Sequence, residues 1–120
     1  MNEILKVGIA GYGVVGKRRR EVADARADMK TVAVCDQYFD GDGQMDDGVR
    51  YYRTYNDLLN EELDILFVCM TNDIAPDVTI AGLKNSLHVF CEKPPGRDMD
   101  DIARVAETAE THADLSLIHI

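Results

Sequence analysis

Apolar residues along this chain gather into short continuous runs, separated by stretches with helical spacing. Residues 4–10, 31–36, 63–70, 87–91 and 114–120 are rich in Val, Ile, Leu, Ala and Cys and do not alternate cleanly with polar residues. Such runs fit strands covered on both faces, as in a parallel sheet lying between helices. A weaker sixth run lies at Val49-Arg50-Tyr51-Tyr52. Between the runs, a helix is predicted over 14–27, with Val15, Val22 and Ala25 toward the sheet. Asn56-Asp57 opens a short helix carrying Leu58 and Leu59. Ile74, Val78 and Ala81 repeat at i, i+4 and i+7; Pro76 is tolerated in a first turn, and Asn85 suits a left-handed stop. Asp98 can cap a last helix whose apolar stripe is Ile102, Val105, Ala106 and Ala109. Strand and helix alternate throughout. The predicted fold is therefore α/β, a doubly wound and mostly parallel sheet of about six strands with helices on both faces. A chain of 120 residues is expected to form one domain over 1–120, burying about two-thirds of its unfolded surface.

The first two runs carry chemistry. The first ends in Gly11-Tyr12-Gly13-Val14-Val15-Gly16, and the second ends in Asp36, twenty residues beyond Gly16. Strand, glycine turn, helix, strand and acid form the layout of a Rossmann dinucleotide-binding unit. Gly11 lets the chain turn sharply, Gly13 leaves the backbone open to a pyrophosphate, and Gly16 lets the helix pack closely on the strand. The first N–H groups of the helix have no partner within it and lie at the positive end of its dipole, where phosphates can sit. Asp36 can accept hydrogen bonds from the adenosine ribose and would repel a 2′-phosphate. Gln37, Tyr38 and Phe39 follow it, with no Arg, so NAD is expected in preference to NADP. The four cations Lys17-Arg18-Arg19-Arg20 read best as a solvated helix face with stems over apolar neighbours, one Arg at most reaching the phosphates. A Rossmann-like domain that binds no nucleotide is the alternative.

Charge and cysteine usage narrow the partners. With 13 Lys and Arg against 22 Asp and Glu, the net charge is −9. That argues against nucleic acid, whose affinity rests on cations neutralising phosphates, and against an anionic membrane surface. No run of 18 apolar residues and no basic-then-apolar N-terminus is present, so neither a membrane span nor a signal peptide is expected. Cys35, Cys69 and Cys91 lack metal-type spacing and read as small apolar residues of a reducing cytoplasm. The acidic stretch Asp40–Gly48 is not a calcium loop, because its sixth position is Met45 and its twelfth is Tyr51. It is expected to be a mobile loop near the adenosine end, and no metal site is assigned.

The run at 87–91 leads into Glu92-Lys93-Pro94-Pro95. Ligands of open α/β sheets bind beyond the carboxyl ends of the strands, so Glu92 and Lys93 are expected to project toward the coenzyme. A Lys near the positive nicotinamide has its own charge disfavoured, and it can share a proton with a substrate hydroxyl. On residue types alone, a surface Glu-Lys pair is an equal reading.

The glycine turn, Asp36, Tyr55-Asn56-Asp57-Leu58-Leu59, Leu63-Asp64-Ile65-Leu66-Phe67-Val68 and His88-Val89-Phe90-Cys91-Glu92-Lys93-Pro94 together resemble the N-terminal domain of the glucose-fructose oxidoreductase/inositol dehydrogenase/rhizopine catabolism (Gfo/Idh/MocA) family. The likeness covers essentially residues 4–110, and Glu-Lys-Pro after an apolar strand is its most specific part. It implies an NAD(P)-dependent oxidoreductase passing hydride between a hydroxyl-bearing carbon of a sugar, cyclitol or related polyol and the coenzyme. By that resemblance, Lys93 is the active-site Lys that orients the hydroxyl. Glu92 positions the loop or the nicotinamide end, Pro94, also at the coenzyme, permits a cis peptide bond before it, and Thr71 and Asn72 form the turn that lines the coenzyme. Where the family often has a His after that turn, this chain has Ala75. Family members carry a second α/β domain with an Asp/His pair and most of the substrate pocket, which this chain is expected to lack. Weak or absent turnover alone, and self-association through uncovered apolar surface, follow as expectations. His88, His112 and His119 are assigned no catalysis. A stand-alone nucleotide-binding sensor or assembly module, and a CoA-type or purely structural domain, remain as alternatives.

Overall fold

The computed structural model describes residues 4–71, 74–91, 108 and 117–119; Asn72, Glu92, Lys93, Pro94 and the predicted helix after Asp98 lie outside them. The strands are β1 (Leu5–Ala10), β2 (Met29–Cys35), β3 (Gly43–Gln44), β4 (Arg50–Tyr52), β5 (Ile65–Val68), β6 (His88–Cys91) and β7 (Leu117–His119). The helices are α1 (Val14–Asp24), α2 (Tyr55–Leu58) and α3 (Ala75–Lys84). The strands form one sheet in the order β3-β4-β2-β1-β5-β6-β7. Six run parallel, and the two-residue β3 joins the edge antiparallel to β4. The chain moves outward from β1 to β4, then returns to pair β5 with the other side of β1. That reversal is the topological switch of a doubly wound fold, and it opens a crevice beyond the carboxyl ends of β1 and β5.

The apolar runs became strands because both sheet faces are covered. One face packs Leu58 of α2 and Ala75, Val78 and Leu83 of α3 against Leu66, Val68 and Val89. The other packs Ala23 of α1 against Val7, Ile9, Val34 and Ile65. Each fully buried Leu, Ile or Val contributes about 1.5–3 kcal/mol relative to exposure.

Several local expectations are corrected. The inward face of α1 is Gly16 and Ala23, while Val15 and Val22 are exposed, as is Ala25. Small residues let that helix lie close on the sheet, which larger valines would hold off. The short helix is capped by Thr54, whose Oγ1 accepts from the Asp57 N–H at 3.3 Å, and not by Asn56 or Asp57. At the end of α3, Asn85 keeps φ −89° and Ser86 takes the left-handed position at φ 64°. The Ser86 and Leu87 N–H groups then donate to the Leu83 and Gly82 carbonyls, closing a Schellman motif. The acidic stretch, expected as a mobile loop, is a hairpin: Gly43 and Gln44 pair with Tyr51 and Arg50.

Candidate functional site

The glycine turn sits at the mouth of the crevice. Main-chain pairing runs on past β1: the Gly11 N–H donates to the Cys35 carbonyl, and the Cys69 N–H to the Ala10 carbonyl, both at 2.8 Å. Gly11 then turns with φ 96° and leaves no room for a side chain, since a Cβ would strike the Cys69 carbonyl. Gly16 is equally constrained, because a Cβ there would strike the Gly11 carbonyl. Gly13 is different in kind: a Cβ there would meet nothing within 4 Å. Packing does not require a glycine at 13, so the missing side chain leaves the backbone open toward the crevice. That is the cradle a pyrophosphate needs.

Gly13 also caps α1. The first helical bond runs from the Lys17 N–H to the Gly13 carbonyl at 3.0 Å. The N–H groups of Val14, Val15 and Gly16 find no acceptor among the described residues, and no acid lies in the first turn to compete for them. Three unpaired donors at the positive end of a helix dipole make an anion seat.

Asp36 forms the other wall. Its Oδ2 accepts from the Tyr12 N–H and its Oδ1 from the Tyr38 N–H, both at 2.9 Å. Two fixed bonds hold the carboxylate in place, and its remaining lone pairs can accept from hydroxyls. Tyr12 is thereby committed: its amide serves Asp36, and its hydroxyl accepts from Arg20 at 2.9 Å. Between the walls lies a cleft of about 520 Å³, within the usual size for a cofactor site. Of the predicted residues, Gly11, Gly13, Asp36 and Thr71 line it; Tyr12, Val14, Val15 and Gly16 build the turn and helix start beside it. Tyr38, Arg53, Thr54, Tyr55, Asn56, Cys69, Met70 and Ile74 also line it and were not foreseen. The signal for them was their place just after a strand, where ligands of such sheets sit.

Lys17 and Arg18 of the basic run on α1 are exposed, as a solvated face requires, but Arg20 has a more particular role. Arg20 points inward, and its guanidinium donates to Tyr12, to Asp24 at 3.1 Å, to Asp47 and to the Met45 Sδ. Burial opposes its charge, but the bonds to Tyr12, Asp47 and Asp24 outweigh that, and its pKa is raised. Arg20 thus ties the glycine turn to the hairpin. The rings of Tyr12, Phe39 and Tyr51 follow the same path, with centroids 6.2 and 5.0 Å apart, and Lys17 Nζ lies 5.6 Å from the Tyr12 ring centroid. The hairpin is held again where the Asp42 Oδ1 accepts from the Arg53 N–H at 2.9 Å.

The cysteines lie near strand ends. Cys35 and Cys91 are buried, Cys69 lines the cleft, and all three are thiols. Burial pushes the Cys35 thiol up to about 12, so it stays protonated. A second cleft of about 440 Å³ lies among Lys6, Lys30, Arg50 and Glu61, at the amino ends of the strands and away from the glycine turn.

A glycine turn at the switch point, unpaired helix-start amides and an oriented carboxylate define a nucleotide-binding Rossmann domain. Residues 5–119 match the model of the oxidoreductase family with an NAD-binding Rossmann fold, GFO_IDH_MocA, and the chain belongs to that family. It is 33% identical over 113 residues to inositol 2-dehydrogenase of Salmonella typhimurium, covering 88% of this chain and 33% of that protein. It is 29% identical over 110 residues to D-glucoside 3-dehydrogenase of Escherichia coli, covering 88% and 31%. Among solved structures, scyllo-inositol dehydrogenase from Lactobacillus casei with bound NAD(H) and scyllo-inositol shares the fold. Its TM-score is 0.84 at 21% identity, over 98% of this chain and 36% of that one. The chain spans about a third of the length of the relatives it matches.

Proposed function

We propose that this chain is the coenzyme-binding part of an oxidoreductase that moves hydride between NAD and a hydroxyl-bearing carbon of a cyclitol, sugar or related polyol. The observation that carries the reading is the cleft itself. Gly13 is open where packing did not require it, three N–H groups without an acceptor among the described residues follow it, and Asp36 stands fixed opposite. Gly11, Gly13 and the amides of Val14 to Gly16 hold the diphosphate, Asp36 holds the adenosine ribose, and Thr71 with Asn72 lines the passage toward the nicotinamide. The coenzyme, when bound, supplies the hydride acceptor or donor. Lys93 follows two positions after Cys91, the last residue of β6. By the family resemblance, it orients the substrate hydroxyl and shares its proton. The relatives' activities, on inositol and a glucoside, support the polyol class. Their additional length supports assigning most substrate contacts to a further region and expecting little turnover from these 120 residues alone. Three thiols without a disulfide suit a reducing cytoplasm.

Fluorescence titration of the chain with NADH tests the reading. Saturable enhancement of the nicotinamide emission, competed by NAD⁺, is expected. Absence of binding at millimolar NADH would refute it.

A further inference from the structure

The preference for NAD rests on Asp36 and on the absence of Arg among the residues that follow it. The fold brings a different Arg to the same place. β2 and β4 pair in parallel with Cys35 opposite Tyr52, and the Asp36 N–H donates to the Tyr52 carbonyl at 3.0 Å. One further step of that register sets Asp36 beside Arg53. Arg53 is exposed and lines the cleft with Asp36 and Tyr38, and it is the single cation among the described residues lining it.

Its guanidinium is uncommitted. Arg20, Arg26 and Arg50 are each paired with a carboxylate, whereas Arg53 makes no ion pair or side-chain hydrogen bond with a described residue. Two acids beside it in the fold are already engaged: Asp36 accepts from the Tyr12 and Tyr38 amides, and Asp42 Oδ1 accepts from the backbone of Arg53 itself. NADP differs from NAD by a phosphate on the 2′-oxygen of the adenosine ribose, the sugar that Asp36 is assigned to hold. A guanidinium presents a planar fork of donors that fits such a phosphate.

We propose that Arg53 is the specificity-determining residue that recognises the 2′-phosphate, so that this cleft takes NADP as well as NAD. The inference rests on the coenzyme reading above. Asp36 and Asp42 still oppose a dianionic phosphate, so NADH remains the tighter ligand. Arg53 sets how wide the gap is.

The test is parallel titration of the unmodified chain, Arg53→Ala and Arg53→Lys with NADH and NADPH, each at low and physiological salt. The unmodified chain should bind both. Arg53→Ala should weaken NADPH about tenfold or more, the scale of a lost charge-assisted bond, while NADH changes less than about threefold. Arg53→Lys should retain part of the NADPH affinity. NADPH binding should fall more steeply with salt than NADH binding, and Arg53→Ala should erase the difference. If NADH binds but NADPH does not, or if Arg53→Ala affects the two equally or not at all, the inference is overturned and the coenzyme reading stands. If neither binds at millimolar concentration, the coenzyme reading fails and this inference with it.

Discussion

The three glycines of the turn share a motif but not a physical role, and the difference can be measured. A Cβ at 16 would strike the Gly11 carbonyl, so Gly16→Ala must separate α1 from β1. It is expected to cost roughly 3 kcal/mol or more, the scale of an overpacked contact with no flexible partner. Gly13→Ala meets open space and should leave the thermal midpoint nearly unchanged, since Gly and Ala at an N-cap differ by about 1 kcal/mol or less. Its methyl would stand where the coenzyme approaches, so NADH affinity should fall about tenfold, ~1.4 kcal/mol. Thermal melts and NADH titrations of both variants check this; a Gly13→Ala variant that melts early yet binds normally would refute the assignment. The placement of Gly11, Gly13 and Asp36 at the cleft was legible because each ends or follows an apolar run, and that of Thr71 through the family resemblance. Arg53 and Tyr38 were not recognised because their relation to Asp36 is set by strand pairing and a turn, which residue order does not display.

Elements were legible where burial is continuous and misread where small residues do the packing. The runs at 4–10, 31–36, 63–70 and 87–91 became β1, β2, β5 and β6 within a few residues at each end. The inward face of α1 was missed because Gly16 and Ala23 carry little apolar signal, whereas the exposed Val15 and Val22 carry much. The weak run at Val49-Arg50-Tyr51-Tyr52 became β4, whereas β3 was hidden for another reason: side-chain tethers organise the hairpin it completes. Arg20 is the main tether, and Arg20→Ala should release the hairpin from the glycine turn. The expected loss is about 1–2 kcal/mol, or roughly 4–8 °C in thermal midpoint for a chain of this size. NADH binding should weaken as well, because Tyr12 loses its hydroxyl partner while its amide still has to orient Asp36. Arg20→Lys should recover only part, since one ammonium cannot reach Tyr12, Asp24 and Asp47 together. Equal stability of Arg20→Ala and the unmodified chain, by urea unfolding, would contradict that role.

At the scale of the whole molecule, the response of stability to low pH is set by carboxylates whose folded partners favour the charged form. Burial opposes the Glu61 charge, but hydrogen bonds from Tyr52 and Arg50 outweigh it and hold its carboxyl below the ordinary 4.5. The Val49 N–H and Arg20 likewise hold the Asp47 carboxyl below 3.8. A carboxyl with a lower pKa folded than unfolded adds stability that is complete above its unfolded value and lost as pH falls through the folded one. The thermal midpoint should therefore decline as pH drops below about 4.5, and Glu61→Gln should flatten part of that decline. The sheet order matches the doubly wound expectation because alternating strands and helices leave few other topologies. The claim on which the account turns is where the coenzyme sits, and amide chemical-shift mapping during NAD⁺ titration tests it most directly. The largest shifts should fall on Gly11 to Gly16 and on Asp36 to Tyr38, with the amides around Lys6, Lys30 and Arg50 unmoved. Shifts centred on that second cleft, or none at millimolar NAD⁺, would contradict it.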